Sequence, residues 1–304
     1  MSQGPSRLLD PAAVRATLRM AGLRARHSLS QNFLVDVDVL AAIAEAAAPA
    51  PGERILEIGP GLGILTGVLL EAGAAVTAVE IDRGLVSWLR ARFEREIGQA
   101  AGDAAAPGSL RLVEGDVLDQ DLETLVQAPF AVVANLPYHI TSPVLHRLLE
   151  LPAPPGRMIL MVQREVAARI AAAPGAMSYL SAFVQYHARV RIALAVPRSA
   201  FEPQPEVDSA VIVVEPFGPG FPGRLDGDAE DGLWRLVQAA FRERRKMLHN
   251  VLVRQLRIEP ARIGAALTAA GIDPDRRPQT VSVEEWLTLR AALAPELAGR
   301  RPDG

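Results

Sequence analysis

Cysteine is absent from the 304 residues of this chain. Without cysteine a protein has no disulfide bonds, no thiolate metal ligands and no cysteine nucleophile. The absence fits a reducing compartment without proving one. We expect no metal site.

Long hydrophobic runs are also absent. No stretch approaches the ~18 apolar residues of a membrane-spanning helix, and residues 1–10 lack the apolar core of a signal peptide. We therefore expect a soluble, cytoplasmic protein that contacts no membrane. Hydrophobic residues make up 49% of the chain, enough for a large domain and a smaller one.

Lysine occurs only at Lys246, and the net charge is -3. Proteins that bind phosphates are usually basic, so the overall charge argues weakly against a nucleic acid partner. The densest basic cluster, which contains Arg244, Arg245 and Lys246, lies in residues 241–250. It predicts either an ordinary charged helix surface or an RNA-phosphate contact, which Arg254, Arg257 and Arg262 could extend.

Residues 54–82 predict a strand, a glycine turn, a helix and a second strand. The turn has the spacing G-x-G-x-G instead of the dinucleotide pattern G-x-G-x-x-G, and Pro60 removes one amide donor from it. A nucleoside without phosphates, such as S-adenosylmethionine, fits this turn better than a dinucleotide. Glu57 could accept from a cationic amino or sulfonium group, and Glu80 from ribose hydroxyls.

Four predicted strands end at Gly59, Glu80, Asp116 and Asn135. Ligands of open α/β sheets bind at the carboxyl ends of the strands, so this shared position favours a site. Asp116 could accept from the amine of an adenine, or could only cap the segment that follows it.

The segment Asn135-Leu136-Pro137-Tyr138 follows an apolar strand at 130–134. It predicts a rigid turn that presents an amide oxygen, a carbonyl and a ring to a flat substrate with an exocyclic amine. The alternative is a strand-ending turn whose Tyr138 packs in the core. Phe201, between prolines, could be a second aromatic against the substrate or a core side chain. Asn32 follows a basic stretch that is either a lid or a solvated linker.

We divide the chain into an N-terminal helix and basic lead-in (1–26), an α/β domain (27–216), a Gly/Pro-rich linker (217–223), a helical domain (224–294) and a disordered tail (295–304). Residues 98–109 predict a mobile loop.

The motifs together resemble the ribosomal RNA adenine dimethyltransferase family of the KsgA type. The matching stretches occur in family order over roughly residues 24–290, and they are 28–34, 57–63, 80–82, 115–116, 135–138, 201–209 and 241–252. Two features depart from the family pattern: Ser30, where the family usually has Gly, and the segment 98–109, which resembles an insertion.

The resemblance implies a Rossmann-like S-adenosylmethionine-dependent methyltransferase domain followed by a small all-helical domain that binds RNA. It implies dimethylation at N6 of two adjacent adenosines in the 3′-terminal hairpin loop of 16S rRNA, in a nearly mature 30S subunit. We expect the protein to be a monomer. We expect cofactor contacts from Gln31, Asn32, Leu34, Glu57, Gly59, Gly61, Glu80, Ile81, Asp116, Val117 and Asn135. We expect catalytic contacts from Asn135, Leu136, Pro137, Tyr138 and Phe201, and RNA contacts from Arg244, Arg245 and Lys246.

Three other functions remain as alternatives. The nearest is a 23S rRNA adenine methyltransferase of the erythromycin-resistance type, which shares the core motifs. A DNA adenine methyltransferase is disfavoured, because those enzymes typically have Pro where Leu136 stands. A non-catalytic RNA-binding assembly factor is disfavoured because Glu80, Asp116 and Asn135 are all present.

Overall fold

A computed structural model describes residues 9–26, 29, 31–102, 106–218, 220–221 and 223–298. The chain forms two compact units. The first contains the residues up to 167 and the segment that begins at 188. The second contains 168–187 and the residues from 220 onward.

The first unit is an α/β structure. Its elements are α1 (Pro11–Met20), β1 (Phe33–Leu34), α2 (Val37–Ala47), β2 (Arg54–Ile58), α3 (Ile64–Glu71), β3 (Ala75–Glu80), α4 (Arg83–Arg92), α5 (Glu94–Gly102), β4 (Leu110–Glu114), α6 (Leu122–Leu125), β5 (Ala131–Asn135), α7 (Thr141–Leu149), β6 (Arg157–Gln163), α8 (Arg164–Ile170), β7 (Ala188–Val196), β8 (Phe201–Glu202) and β9 (Ser209–Pro216). The unit boundary falls inside α8.

Seven strands form one sheet in the order β4-β3-β2-β5-β6-β9-β7. The first five are parallel, and β9 is antiparallel to both β6 and β7. The central strands are buried on both faces, which explains their nearly continuous Val, Ile, Leu and Ala sequences. The predicted Rossmann-like α/β class is confirmed. A two-stranded sheet of β1 and β8 was not predicted.

The helix that follows the glycine turn begins at a position that only glycine fits. Gly63 is the N-cap of α3 and has φ 77°, in the left-handed region that favours glycine. A Cβ atom here would lie 2.5 Å from the ring of Phe93 and 2.8 Å from Leu89. The last glycine of the turn therefore lets α4 pack closely against it.

Two parts of the first unit differ from the sequence prediction. Residues 98–102 of the segment expected to be a loop are helical, since α5 continues to Gly102, and residues 103–105 lie outside the described residues. Alanine has the highest helix propensity of the amino acids, so the small residues of this segment were wrongly interpreted as a loop. The N-terminal helix is not a separate lead-in, since Val14 of α1 is fully buried in the core of this unit and Arg15 forms an ion pair with Glu202 of β8 at 2.9 Å.

All the regular secondary structure described in the second unit is helical. Its helices are α9 (Tyr179–His187), α10 (Gly227–Phe241), α11 (Leu248–Leu256), α12 (Pro260–Ala269), α13 (Val283–Ala292) and α14 (Ala294–Leu297). They enclose a separate core centred on Leu236, Leu252, Leu267 and Trp286. The predicted helical character of the C-terminal part is confirmed.

The boundaries of the second unit differ from our division. We placed α9 in the α/β domain, but it belongs to the helical unit. Its aromatic side chains surround Trp234 of α10, with ring centroids 5.1 Å from Phe183 and 5.2 Å from Tyr186. The expected tail also starts too early, because α14 is helical and Leu297 is buried. Residues 299–304 lie outside the described residues.

None of the helices that the structure describes is long and apolar enough to cross a bilayer.

Candidate active site

A cleft opens at the carboxyl ends of the parallel strands in the first unit. It encloses about 1200 Å³, including space open to solvent. The predicted site residues that line it are Gln31, Asn32, Leu34, Glu57, Gly59, Gly61, Glu80, Ile81, Asp116, Val117, Asn135, Leu136, Pro137 and Tyr138. Residues far apart in sequence therefore meet at one edge of the sheet, as the strand ends predict.

Glu80 fixes the shape of the glycine turn. Its Oε2 accepts a hydrogen bond from the Gly61 amide at 3.1 Å, and its Oε1 accepts from the Asp82 amide at 2.9 Å. Burial raises the pKa of this carboxyl. A carboxylate has about four acceptor positions, so capacity remains for a ligand. Gly61 has φ 60°, and a Cβ there would lie 3.2 Å from the Phe33 ring.

Glu57 is the most unusual group in the cleft. It lies on β2 and is only 1% exposed, and no hydrogen bond of ordinary geometry reaches either oxygen from a described residue. Burial raises its pKa to about 8, the nearby Thr66 opposes this rise, and the neighbouring Glu80 adds to it. A buried carboxylate without a partner is costly, so this position favours a cationic group from a ligand.

Asp116, Val117 and Ile81 form another part of the lining. Asp116 Oδ1 accepts from the Leu118 amide at 2.9 Å, so the capping alternative is correct for that oxygen. Ile81 is 48% exposed although it is a large apolar residue. An exposed apolar side chain beside a carboxylate suits a flat ring that carries an amine.

The segment before β1 is attached to the cleft. Gln31 Nε2 donates to Asp82 Oδ2 at 3.1 Å, and Gln31 Oε1 accepts from the Arg26 amide at 2.9 Å. Arg26 Nε lies 3.4 Å from the same Asp82 oxygen. These contacts exclude a fully solvated linker, and they tie both ends of the Gln31 amide within the protein. His27, Ser28 and the departure at Ser30 lie outside the described residues.

The segment 135–138 is held in place by neighbouring strands. Asn135 Nδ2 donates to the Asn32 carbonyl at 3.2 Å, which turns Oδ1 to the opposite side of the amide. The Leu136 amide donates to the Met161 carbonyl of β6 at 3.0 Å. Tyr138 is half-buried, and its hydroxyl lies 3.2 Å from Ser209 Oγ. Tyr138 therefore belongs to the cleft and not to the core.

Phe201 does not line the cleft, and our expectation of a second stacking aromatic is wrong for this structure. The ring is 2% exposed and lies in the hydrophobic core of the first unit. Strand β8 pairs Phe201 with Leu34 of β1, which directs it into that core. The core alternative that the sequence left open is the one observed.

The basic cluster lies on a turn, not on a helix. Arg244, Arg245 and Lys246, which we call the basic turn, connect α10 to α11 and are all exposed. No ion pair joins them to any residue that the structure describes. The proposed extension is weaker, because Arg254 pairs with Glu243 at 3.1 Å and Arg262 pairs with Glu296 at 2.5 Å.

Two polar residues that support the site were not assigned from sequence. Asp82 caps α4 and binds Gln31, and its position before a predicted helix was a usable signal. Ser209 binds Tyr138 across 71 positions of sequence, and no local pattern predicts such a pairing.

The fold and the cleft define a Rossmann-like methyltransferase with a helical C-terminal part. The family model described as ribosomal RNA adenine dimethylase matches residues 22–294. The chain is 39% identical over 299 residues to the ribosomal RNA small subunit methyltransferase A of Moorella thermoacetica, covering 93% of this chain and 97% of that protein. It is 42% identical over 283 residues to the protein of the same name from Geobacter sulfurreducens, covering 91% and 98%. The chain therefore belongs to the ribosomal RNA adenine dimethylase family.

Solved structures agree with this fold. The 23S rRNA methyltransferase ErmE superposes with a TM-score of 0.66 at 30% identity, covering 86% of this chain and 100% of that chain. A dimethyladenosine transferase from Plasmodium falciparum gives 0.66 at 24% identity, covering 87% and 98%, and supports the fold alone.

Glu57→Gln tests the burial of the unpartnered carboxylate. In the folded protein the pKa of Glu57 is about 8, against 4.5 for a solvated glutamate side chain. The wild-type protein therefore loses stability as pH rises from about 4.5 through 8, and Gln, which is always neutral, does not. We expect the variant to be similar to wild type near pH 4.5 and more stable by about 3 to 5 kcal/mol at pH 9.

The measurement is urea unfolding of both proteins across this pH range. Glu45→Gln, at an exposed position on α2, is the matched control and should show a difference that does not change with pH. A Glu57→Gln protein less stable than wild type at pH 9 would contradict the assignment.

Proposed function

We propose that this protein transfers methyl groups from S-adenosylmethionine to N6 of two adjacent adenosines in the 3′-terminal hairpin loop of 16S rRNA. The product is N6,N6-dimethyladenosine, formed late in assembly of the 30S subunit. The observation that carries the proposal is the cleft, which brings the acidic strand ends beside the segment 135–138.

The donor groups of the cleft fit S-adenosylmethionine. Glu57, buried and unpartnered among the described residues, suits the cationic part of the cofactor. Glu80 is positioned for ribose hydroxyls, and the second oxygen of Asp116 for the adenine amine. The rest of the cleft surface is formed by Gly59, Gly61, Leu34, Ile81 and Val117. One side of the cleft is closed by Asn32 and Gln31. When bound, the cofactor supplies the methyl group as an electrophile.

Asn135 and Leu136 act on the target amine. The lone pair of adenine N6 is delocalised into the ring, so the nitrogen is a poor nucleophile. In the first transfer Asn135 Oδ1 and the Leu136 carbonyl accept its two hydrogens, and in the second transfer one of them accepts the single hydrogen that remains. These bonds favour a tetrahedral nitrogen and stabilise the positive charge that develops on it. Pro137 fixes the turn, and Tyr138 stacks on the base once it leaves its helix or loop.

No side chain of this segment serves as a general base. Asn135 does not titrate, and burial raises the pKa of Tyr138, so its phenol stays neutral at physiological pH. The proton leaves to solvent after methyl transfer. Positioning and electrostatic stabilisation therefore carry the chemistry.

The relatives favour the small ribosomal subunit over the large one. The two small-subunit methyltransferases are 39% and 42% identical to this chain, whereas ErmE is 30% identical. The helical second unit contributes the basic turn, whose exposed cations suit RNA phosphates. We place the protein in the cytoplasm, as a monomer that acts on the 30S subunit. A 23S rRNA methyltransferase and a non-catalytic assembly factor are the competing proposals.

Asn135→Ala removes one acceptor for the target amine. We expect methylation of unmethylated 30S subunits to fall by about 100-fold or more, since a lost transition-state contact of this kind has that effect. The fold, followed by thermal unfolding, should persist. Gln127→Ala, an exposed carboxamide of the same unit, is the matched control. Near-normal turnover by the Asn135 variant would refute this scheme.

Reversal of the basic turn to three Glu residues tests its role in RNA binding. Affinity for 30S subunits should fall at least about 10-fold. The slope of log K against the logarithm of the salt concentration should become shallower by about 2 to 3, because three phosphate contacts are removed. Cofactor affinity, measured by calorimetry, should not change.

The control is a charge-matched reversal at the exposed residues Arg90, Arg95 and Arg277, outside the basic turn. Loss of cofactor affinity in the basic-turn variant would show that the two units are wrongly assigned.

A further inference from the structure

The hydroxyl of Tyr138 is hydrogen-bonded to a side chain outside the segment 135–138. Its Oη lies 3.2 Å from Ser209 Oγ. Tyr138 begins a short 3-10 turn, Tyr138–Ile140, that has no side-chain cap, and its neighbour His139 is exposed. Ser209 is the first residue of β9 and is 0% exposed. The hydroxyl end of the Tyr138 ring is therefore bonded to the sheet, although the residue itself lies on a turn.

Ser209 is a rigid attachment point. It pairs with Gln163 of β6 on one side and with Val196 of β7 on the other, so its backbone lies inside the sheet. The preceding residue is fixed as well, since the Asp208 carbonyl accepts from the Arg164 amide at 2.9 Å. Because its backbone is held on both sides, Ser209 cannot shift to follow a moving ring.

The beginning of the segment 135–138 is fixed independently. Leu136 is bonded to Met161 and Asn135 to Asn32. These contacts set the backbone and the Asn135 amide but do not involve the Tyr138 side chain. The bond to Ser209 restrains the χ1 torsion of Tyr138, because rotation about the Cα–Cβ bond would carry the hydroxyl away from Ser209. The direction in which the ring points is therefore fixed by this bond.

We propose that Ser209 is a positioning residue for methyl transfer. Through its hydrogen bond it holds the Tyr138 ring in the orientation on which the target adenine stacks, beside the acceptors of Asn135 and Leu136. Ser209 acts through Tyr138 and not on the substrate. The inference rests on the proposed function and extends it to a residue on another strand.

The second methyl transfer depends on this orientation most. The nitrogen already carries one methyl group, so the base must be held in a more crowded position than in the first transfer. A loosened ring therefore lowers the second step more than the first, and monomethylated adenosine accumulates.

The test uses the full chain with unmethylated 30S subunits and the variants Ser209→Ala, Tyr138→Phe and their combination. Each single variant should lower kcat about 2- to 10-fold, as expected for loss of one neutral hydrogen bond, with an unchanged KM for S-adenosylmethionine. The fraction of monomethylated product should rise. The double variant should resemble either single variant, because both remove the same bond.

Ser109→Ala is the matched control. Ser109 is also 0% exposed and precedes β4, but its hydroxyl has no hydrogen-bond partner among the described residues. Its kcat and product ratio should equal those of wild type. Thermal unfolding of every variant separates a loss of stability from a loss of positioning.

Three results would overturn the inference. They are additive effects in the double variant, a Ser209→Ala protein that behaves like Ser109→Ala, and a Tyr138→Phe protein with wild-type kcat and product ratio. The last result decides the matter even if Ser209→Ala does not fold. Wild-type turnover is measured first, and a wild-type protein that methylates no RNA would refute the proposed function and the inference with it.

Discussion

The burial of two acidic side chains at neighbouring strand ends is the constraint on which the cleft depends. Glu57 on β2 and Glu80 on β3 are both nearly inaccessible, and the strands that carry them are paired in parallel. Burial disfavours the ionised form of each carboxyl and raises both pKa values, and the charge of Glu80 raises the pKa of Glu57 further. The two residues have different partners, however. Glu80 is bonded to backbone amides, while Glu57 has only the nearby Thr66 beside it and no hydrogen bond of ordinary geometry to a described residue.

This difference divides their roles. Glu80 uses its bonds to shape the glycine turn, so the turn is formed before any ligand arrives. Glu57 retains its full capacity for a cation, at a cost to the stability of the empty protein. The protein without ligand is less stable because the cleft is arranged to bind one, which is common at functional sites. The buried carboxyl of Glu57 selects a cationic ligand. The glycine turn beside it therefore needs no amides that bind phosphate.

The fold and most of the cleft could be predicted from sequence because they follow local rules. Apolar strands that end in Gly59, Glu80, Asp116 and Asn135 give the sheet edge directly, since parallel strands share one carboxyl end. Contacts between distant segments were not predictable in this way. The pairing of β1 with β8, which buries Phe201, depends on two residues in each strand and leaves no periodic pattern.

The same reason accounts for the other errors. Helix α9 lies in sequence between β6 and β7, two strands of the α/β unit, so only its aromatic contacts with Trp234 reveal the unit to which it belongs. The basic turn was assigned to a helix because charge patterns do not distinguish an exposed helix face from a turn between two helices. For α9 the tertiary contact, and not the local propensity, decided the structure.

The most direct test of the account is the position of the methyl groups. The protein is incubated with labelled S-adenosylmethionine and either unmethylated 30S subunits or 50S subunits, and the modified bases are mapped. The account predicts label on N6 of two adjacent adenosines in the 3′-terminal hairpin loop of 16S rRNA, and none in 50S subunits. Label confined to 23S rRNA, or cofactor binding without methylation of either subunit, would contradict it.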